Sequence, residues 1–217
     1  MKMLTVTART PTGFASGDPW SPTLDGTLSY AFMREKLGAD FGNNLNLHAV
    51  EGLPFAVEWF GGEWWYVCGS PRPSQALGQR DRHFHRRFNA PDAERWMAAN
   101  RVNTTMGPHK NLRKAHLVTT ASSVSWQAIG DAAEIRRLLS SLHSIGSGHS
   151  RGLGRVGAWE VVEGPWAYPL ERPVPVGATD RPGPIMHHSI RPPSHLASNR
   201  VRCVMPVPAD FGQPQAA

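Results

Sequence analysis

An α+β fold in the order strand, helix, strand, strand, helix, strand is predicted by three observations on the sequence. A strand of period two opens the chain and a capped helix follows it. A Gly-Gly turn joins two aromatic-rich strands. A second capped helix runs through a glycine-rich loop into a further strand. This is the βαββαβ plan of ferredoxin-like (RRM-like) domains, here with a basic insertion after the hairpin. Residues 1–164 are read as that domain, with the insertion at about 69–114, and residues 165–217 as a proline-rich extended segment.

Each element has its own signal. In Met3 to Arg9, Leu4, Val6 and Ala8 face one way and Met3, Thr5 and Thr7 the other. After a Gly/Pro/Ser loop, Thr23 is placed to cap a helix to about Leu37, with Leu24, Leu28, Ala31 and Phe32 as its buried stripe and Gly38 as its end. Phe55 to Phe60, Gly61-Gly62 and Glu63 to Cys68 predict a hairpin with a two-residue turn. That register pairs Trp59 with Trp64, Val57 with Tyr66 and Phe55 with Cys68 on one apolar face. The opposite face, with Glu58, Phe60, Glu63 and Trp65, is amphipathic: Trp65 either packs under a loop or meets a ligand.

Within the insertion, residues 92–97 read as a short helix; after it, Ala115 to Val124 reads as a strand, followed by a hydrophobic piece from Trp126 to Ile129. Asp131 with Glu134 starts a helix whose stripe is Ile135, Leu138, Leu139 and Leu142, ending near Ile145-Gly146. Val156 to Val162 reads as the following strand. Eleven of the 19 prolines lie from Pro165 onward, which excludes long helices there and leaves Ile185–Ile190 and Val201–Val207 as edge strands.

The formal net charge is +6, and it is concentrated. Residues 80–114 hold nine basic residues (Arg80, Arg82, Arg86, Arg87, Arg95, Arg101, Lys110, Arg113 and Lys114) against Asp81, Asp92 and Glu94. The remaining 14 basic residues are balanced by 14 acidic ones. A neutral body with one basic insert is the footprint of a polyanion partner. His83, Phe84, His85 and Phe88 are interleaved with the arginines, a composition that suits stacking on unpaired bases better than a merely solvated loop. The two cysteines, Cys68 and Cys203, are far apart, which argues against a disulfide scaffold and a thiolate zinc site. No run is apolar enough for a membrane span, and the opening residues turn polar too soon for a signal peptide, so a cytoplasmic location is expected.

The most informative motif is Ile145-Gly146-Ser147-Gly148-His149-Ser150-Arg151-Gly152-Leu153-Gly154-Arg155-Val156. Four glycines in nine residues allow close backbone approach and expose N–H groups, and His149, Arg151 and Arg155 add reach toward phosphate. It lacks the Gly-Lys-Ser/Thr ending of a phosphate-binding nucleotide loop, and it follows a helix and opens a strand, the reverse of a dinucleotide fingerprint. The competing reading is a turn that packs the helix on the sheet. One or two glycines can serve that while the loop also binds RNA.

Helix, loop and strand together resemble the glycine-rich signature of the RAMP superfamily of CRISPR-associated proteins. The opening strand with Asp18-Pro19 and Leu24-Asp25-Gly26-Thr27-Leu28 is similar to the subunit of type IV effector complexes that resembles the "five" family of Cas proteins. So are Ser189-Ile190-Arg191-Pro192-Pro193 and Cys203-Val204-Met205-Pro206. The resemblance implies a subunit that binds CRISPR RNA, holds the 5′ handle of the guide and caps one end of the filament. Its implied partners are a backbone filament of the "seven" family, the type IV large subunit and a helicase, with target nucleic acid engaged through the guide. The insert would correspond to a thumb pushed into the guide–target duplex. Carried over residue by residue, the RNA contacts fall on Gly146, Gly148, Arg151, Gly152, Gly154 and Arg155. The residues themselves add His149 in the loop and Arg82, His83, His85, Arg86, Arg87, Lys110, Arg113 and Lys114 in the insert as candidate RNA-binding positions.

Catalysis is the lesser expectation. His83, His85, His143 and His149 are candidates for metal-independent general acid–base cleavage of repeat RNA, as in some RAMP endoribonucleases. A histidine beside an RNA groove more often binds than cleaves. His187-His188 with His195 lacks acidic or thiolate partners at ligand spacing, so no metal and no cofactor is implied. A protein module for an acidic partner is the reading outside nucleic acids.

Overall fold

The computed structural model describes residues 1–42, 48–74, 77–86, 89, 95, 103–106 and 110–207. The strands are β1 (Lys2–Arg9), β2 (Phe14–Ser16), β3 (Val57–Phe60), β4 (Glu63–Tyr66), β5 (Arg72–Ser74), β6 (Gly78–Arg86), β7 (Leu112–Thr120), β8 (Ser123–Gly130), β9 (Ala158–Glu163), β10 (Val174–Pro175), β11 (Ile185–Ser189) and β12 (Arg200–Val204). The helices are α1 (Leu24–Leu37) and α2 (Ala132–Leu139). Among the described residues no helix is long and apolar enough to cross a membrane. The short helix expected at 92–97 lies outside the described residues.

The main sheet has the order β5-β8-β1-β9, and β1 runs antiparallel to both β8 and β9. The first and last strands of the βαββαβ plan are therefore neighbours, as in a ferredoxin-like sheet. Leu4, Val6 and Ala8 of β1 and Val124, Trp126 and Ala128 of β8 point to one face and are buried under α1 and α2. The alternation in β1 made that face legible. Thr23 caps α1, accepting a hydrogen bond from Gly26 N, and Asp131 caps α2, accepting from the N–H groups of Ala133 and Glu134. α2 ends at Leu139, short of the expected Ile145. Ser140 Oγ and Ser141 Oγ donate to the carbonyls of Arg137 and Leu138, drawing on the last turn's acceptors. Leu142 and Ile145 are still buried, so the stripe continues past the helix that it suggested.

The hairpin is the main correction. Its register is the expected one: Val57 opposes Tyr66 and Trp59 opposes Trp64. It is not, however, the pair of strands that the plan requires. Phe55 and Cys68 do not pair with each other; they bridge Gly130 and Ala128 of β8, and β5 continues the same edge. The middle position of the plan belongs to β8, inside the stretch read as one strand and a hydrophobic remnant. The hairpin stands off the sheet, with Trp59 68% exposed, so its apolar face is only half covered. On the opposite face Trp65 is buried with Trp20, Ile190, Cys203 and Met205, and its indole donates to Glu58. Packing, not ligand access, accounts for Trp65.

The insertion, which follows the hairpin in the chain, joins the plan's second strand to its third. It is a two-stranded ribbon, β6 against β7, in register from Gly78–Thr120 to Arg86–Leu112, with β2 added on the far side of β7. The C-terminal strands form a third sheet of order β10-β12-β11, in which β12 is central rather than an edge strand.

Arg172 ties these parts together. It is 3% exposed. Its guanidinium reaches Asp25 of α1 (3.4 Å) and donates to the carbonyls of Tyr66, Cys68 and Ile190. Removing one partner of a buried pair strands the other charge, at a cost of about 3–5 kcal/mol. Arg172→Met is expected to lose about that much stability in urea unfolding. The double variant Arg172→Met/Asp25→Leu is expected to recover part of it, since both charges are then gone.

Candidate nucleic-acid interface

Two sequence features, the glycine loop and the basic ribbon, meet on one face. Residues directly opposite in an antiparallel pair share a face. The ribbon register therefore puts Arg80, Arg82 and Phe84 with Val118, His116 and Lys114 on one side. Asp81, His83 and His85 lie with Leu117, Ala115 and Arg113 on the other. The glycine loop packs on the first side: Ser147 bridges Ala15, which pairs with Val118. Leu153 is buried against Ala15 and Val118, with Phe84 at the margin.

The loop's glycines divide by task. Gly146 and Gly154 have φ of 70° and 68°. A Cβ at Gly146 would stand 2.3 Å from Ala15 O, and one at Gly154 1.9 Å from Ile145 O. Their close backbone approach is thus to the protein itself. Most of the N–H groups expected to face a ligand are also taken internally: Ser147 N donates to Ala15 O, Gly154 N to Gly13 O and Arg155 N to Thr12 Oγ1. Among the described residues, the N–H groups of Gly146, Gly148, His149 and Ser150 are not taken up by the chain's own acceptors. The last three sit on the solvent side, with Gly148 and Gly152 as left-handed hinges on either side of His149–Arg151. The expectation of a wholly open N–H cradle is corrected to that short stretch.

Around Phe84 lies a cluster of cations. The Arg82 and Arg151 guanidiniums lie 5.4 and 4.7 Å from the ring centroid. The His116 ring meets Phe84 edge-on at 5.2 Å. Cation–π attraction orients a guanidinium without neutralising it. Phe84 therefore presents two arginines, where base stacking was expected of it. Arg151 Nη1 donates to His116 Nε2 at 3.3 Å. A guanidinium is a donor only, so the imidazole proton sits on Nδ1 and points at Ser147 Oγ, 3.4 Å away. Burial holds the His116 pKa below its ordinary 6.5, and the nearby charges of Lys114 and Arg151 push in the same direction.

Five other arginines are matched to acids. Arg72 pairs with Glu171, Arg136 with Glu163, Arg137 with Glu35 and Glu134, Arg172 with Asp25 and Arg191 with Glu63. Among the described residues no carboxylate lies within ion-pair range of Arg82 or Arg151.

Of the candidate positions, Gly146, Gly148, His149, Arg151, Gly152, Gly154, Arg155, Arg82 and Lys114 belong to the loop or to the ribbon side that it covers. His83, His85 and Arg113 belong to the other side of the ribbon. Arg86 opposes Leu112 at the ribbon's far end, Lys110 lies just beyond it, and Arg87, like Phe88, falls outside the described residues. His116 and Ser147 were not singled out in the sequence. Nothing local marks them, and only the pairing of β6 with β7 and the fold of the loop bring them together. Among the described residues no group of three His, Cys, Asp or Glu is placed to hold a metal ion.

No family model matches the chain, and no curated protein matches it. A chain in the cryo-EM structure of the Type III-B Cmr-beta bound to cognate target RNA is similar to it at 12% identity and a TM-score of 0.37. The match covers 75% of this chain and 61% of that one, so this chain spans less than two thirds of its length. At that identity and TM-score the likeness says nothing about activity.

Two measurements test this geometry. Gly154→Ala is expected to unfold the loop or lower stability by several times the cost of Gly152→Ala. At Gly152 a Cβ meets nothing and only the left-handed backbone, about 1–2 kcal/mol, opposes it. Thermal melts of the two variants compare them. His116 is held neutral, so the unfolded chain binds its proton more readily. Its contribution to stability is present above pH 6.5 and is lost as pH falls below that value. Urea unfolding from pH 7.5 to 5.5 is expected to show that loss, and His116→Asn to lessen it.

Proposed function

We propose that the chain is a non-catalytic RNA-binding subunit of a CRISPR ribonucleoprotein. In this reading it holds the 5′ handle of the guide RNA in a type IV-like effector, beside a backbone filament of the "seven" family, a large subunit and a helicase. The observation that carries RNA binding is the pair of exposed guanidiniums, Arg82 and Arg151, oriented on one phenylalanine and left without acidic partners. Charges of that kind are available to phosphate. The open N–H groups of Gly148, His149 and Ser150 adjoin Arg151 and offer hydrogen bonds to the same anion. The resemblance of the loop and the chain ends to RAMP and type IV subunits supports the guide-handle role. The ribbon serves as the arm toward the guide–target duplex.

The arrangement favours binding over cleavage. His83 and His85 lie on the ribbon side away from Arg151, His116 is held as a buried neutral donor to Ser147, and among the described residues no second acid–base side chain is hydrogen-bonded to His143 or His149. Intact repeat RNA after incubation with excess protein without metal is the expected result. A single specific cut would instead establish the endoribonuclease reading.

RNA is expected to copurify with the assembled complex and to share a common 5′ repeat fragment. Arg151→Glu is expected to abolish that recovery. In titrations against single-stranded RNA, Arg82→Ala is expected to lower the slope of log affinity against log salt by about 0.7, one phosphate contact. RNA-free wild-type complexes, or an Arg151→Glu complex that carries RNA normally, would refute the assignment.

A further inference from the structure

Beyond the loop's end the surface is concave. An open depression is bounded by Arg9 and Pro11 where β1 ends, Leu77 and Thr120 at the ribbon's root, and Gly157 and Ala158 where the loop enters β9. Three features of it have no explanation in the fold.

Leu77 is 85% exposed, more than any other large apolar side chain described. It covers nothing of the protein. Gly157 is a glycine without steric need: its φ is not in the left-handed region. A Cβ there would stand an easy 4.0 Å from Arg9 O and from Pro11 Cδ. What the missing side chain does is leave the floor of the depression open. Arg9 is exposed, and among the described residues it has no carboxylate in ion-pair range. The depression thus combines an apolar floor and rim with one five-donor guanidinium.

Its position gives the ligand. Gly157 follows Arg155 by two residues, roughly 7 Å of extended chain. Gly157 N donates to Arg9 O and Arg155 N to Thr12 Oγ1, so the loop's exit is hydrogen-bonded to the end of β1 and the turn after it. A strand whose phosphates lie along Arg151 and Arg155 has its next base within reach of this depression. Proteins that read single-stranded RNA splay bases out, set their faces on apolar or planar groups, and hydrogen-bond their edges.

We propose that the depression receives one unpaired base of the RNA whose backbone the glycine loop holds. The base's faces lie against Leu77 and the Gly157–Ala158 floor, and its edge meets the Arg9 guanidinium. This rests on the loop being the backbone site. It adds a base contact to a surface that otherwise touches only phosphate.

The experiment is an abasic scan. The full chain is titrated with a short labelled single-stranded RNA in which one abasic position is moved stepwise along the strand. Wild type is expected to show one position where loss of the base weakens binding about tenfold, the size of one base contact. Gly157→Leu fills the floor where the backbone tolerates a side chain. It is expected to weaken the intact RNA by the same factor and to make the scan flat. If that variant does not fold, Arg9→Ala replaces it with the same expectation. A flat wild-type scan, or a variant that binds and scans like wild type, overturns the base site. Arg151→Glu separates the two levels: it is expected to lose intact and abasic RNA alike. If it binds both normally, the backbone reading on which the base site rests has failed. If it loses both while Gly157→Leu scans like wild type, only the base site has failed.

Discussion

The buried guanidinium of Arg172 is the constraint on which the arrangement depends. A charge in the interior needs a counter-charge and acceptors for its donors, and these come from three separate parts of the chain. Asp25 belongs to the first helix, the Tyr66 and Cys68 carbonyls to the exit of the hairpin, and the Ile190 carbonyl to the C-terminal segment. The hairpin exit is the edge that bridges β8, and β8 follows directly from the ribbon. Satisfying one arginine therefore fixes where the ribbon leaves the body. The proline-rich segment contributes Arg172 itself and is part of the core's assembly, not an appendage.

The interface depends on a division among the arginines. Arg72, Arg136, Arg137, Arg172 and Arg191 are spent on carboxylates and are structurally committed. Arg82 and Arg151 are steered by an aromatic ring, which fixes their direction and leaves their charge available. The loop is rigid for the same kind of reason. Gly146 is pressed on the backbone of β2 at Ala15, Gly154 is pressed on Ile145 and donates its N–H to Gly13 O, while the outer turn, His149 to Arg151, faces solvent. A stiff loop that presents charge without rearrangement loses little entropy when a ligand arrives.

Much of the body could be read from local signals. Thr23, Gly38 and Asp131 are capping residues acting where capping chemistry puts them, and the alternation of Leu4, Val6 and Ala8 identifies the buried face of β1. The errors have a common cause. The Gly-Gly turn announced a hairpin correctly, but a turn says nothing about which strands then join the sheet. The stripe from Ile135 to Ile145 marked burial correctly, but burial persists where Ser140 and Ser141 end the helix. In the candidate site Arg151 and the glycines stood out by type and spacing, whereas His116 and Ser147 did not.

What the sequence determined by itself is the chemistry on offer: a basic ribbon, a glycine-rich loop and two capped helices, each specified by residues close together in the chain. What only the tertiary structure decided is which of these meet. The ribbon's register turned Arg82 and His116 toward the loop and His83 and His85 away from it. A register of period two assigns every side chain to a face at once, and the face that matters is set by whatever packs there. Ser147 on Ala15 and Leu153 beneath Phe84 are contacts between residues more than 60 positions apart, and no local pattern encodes them. The excess charge was visible in the sequence, and its direction came from the fold.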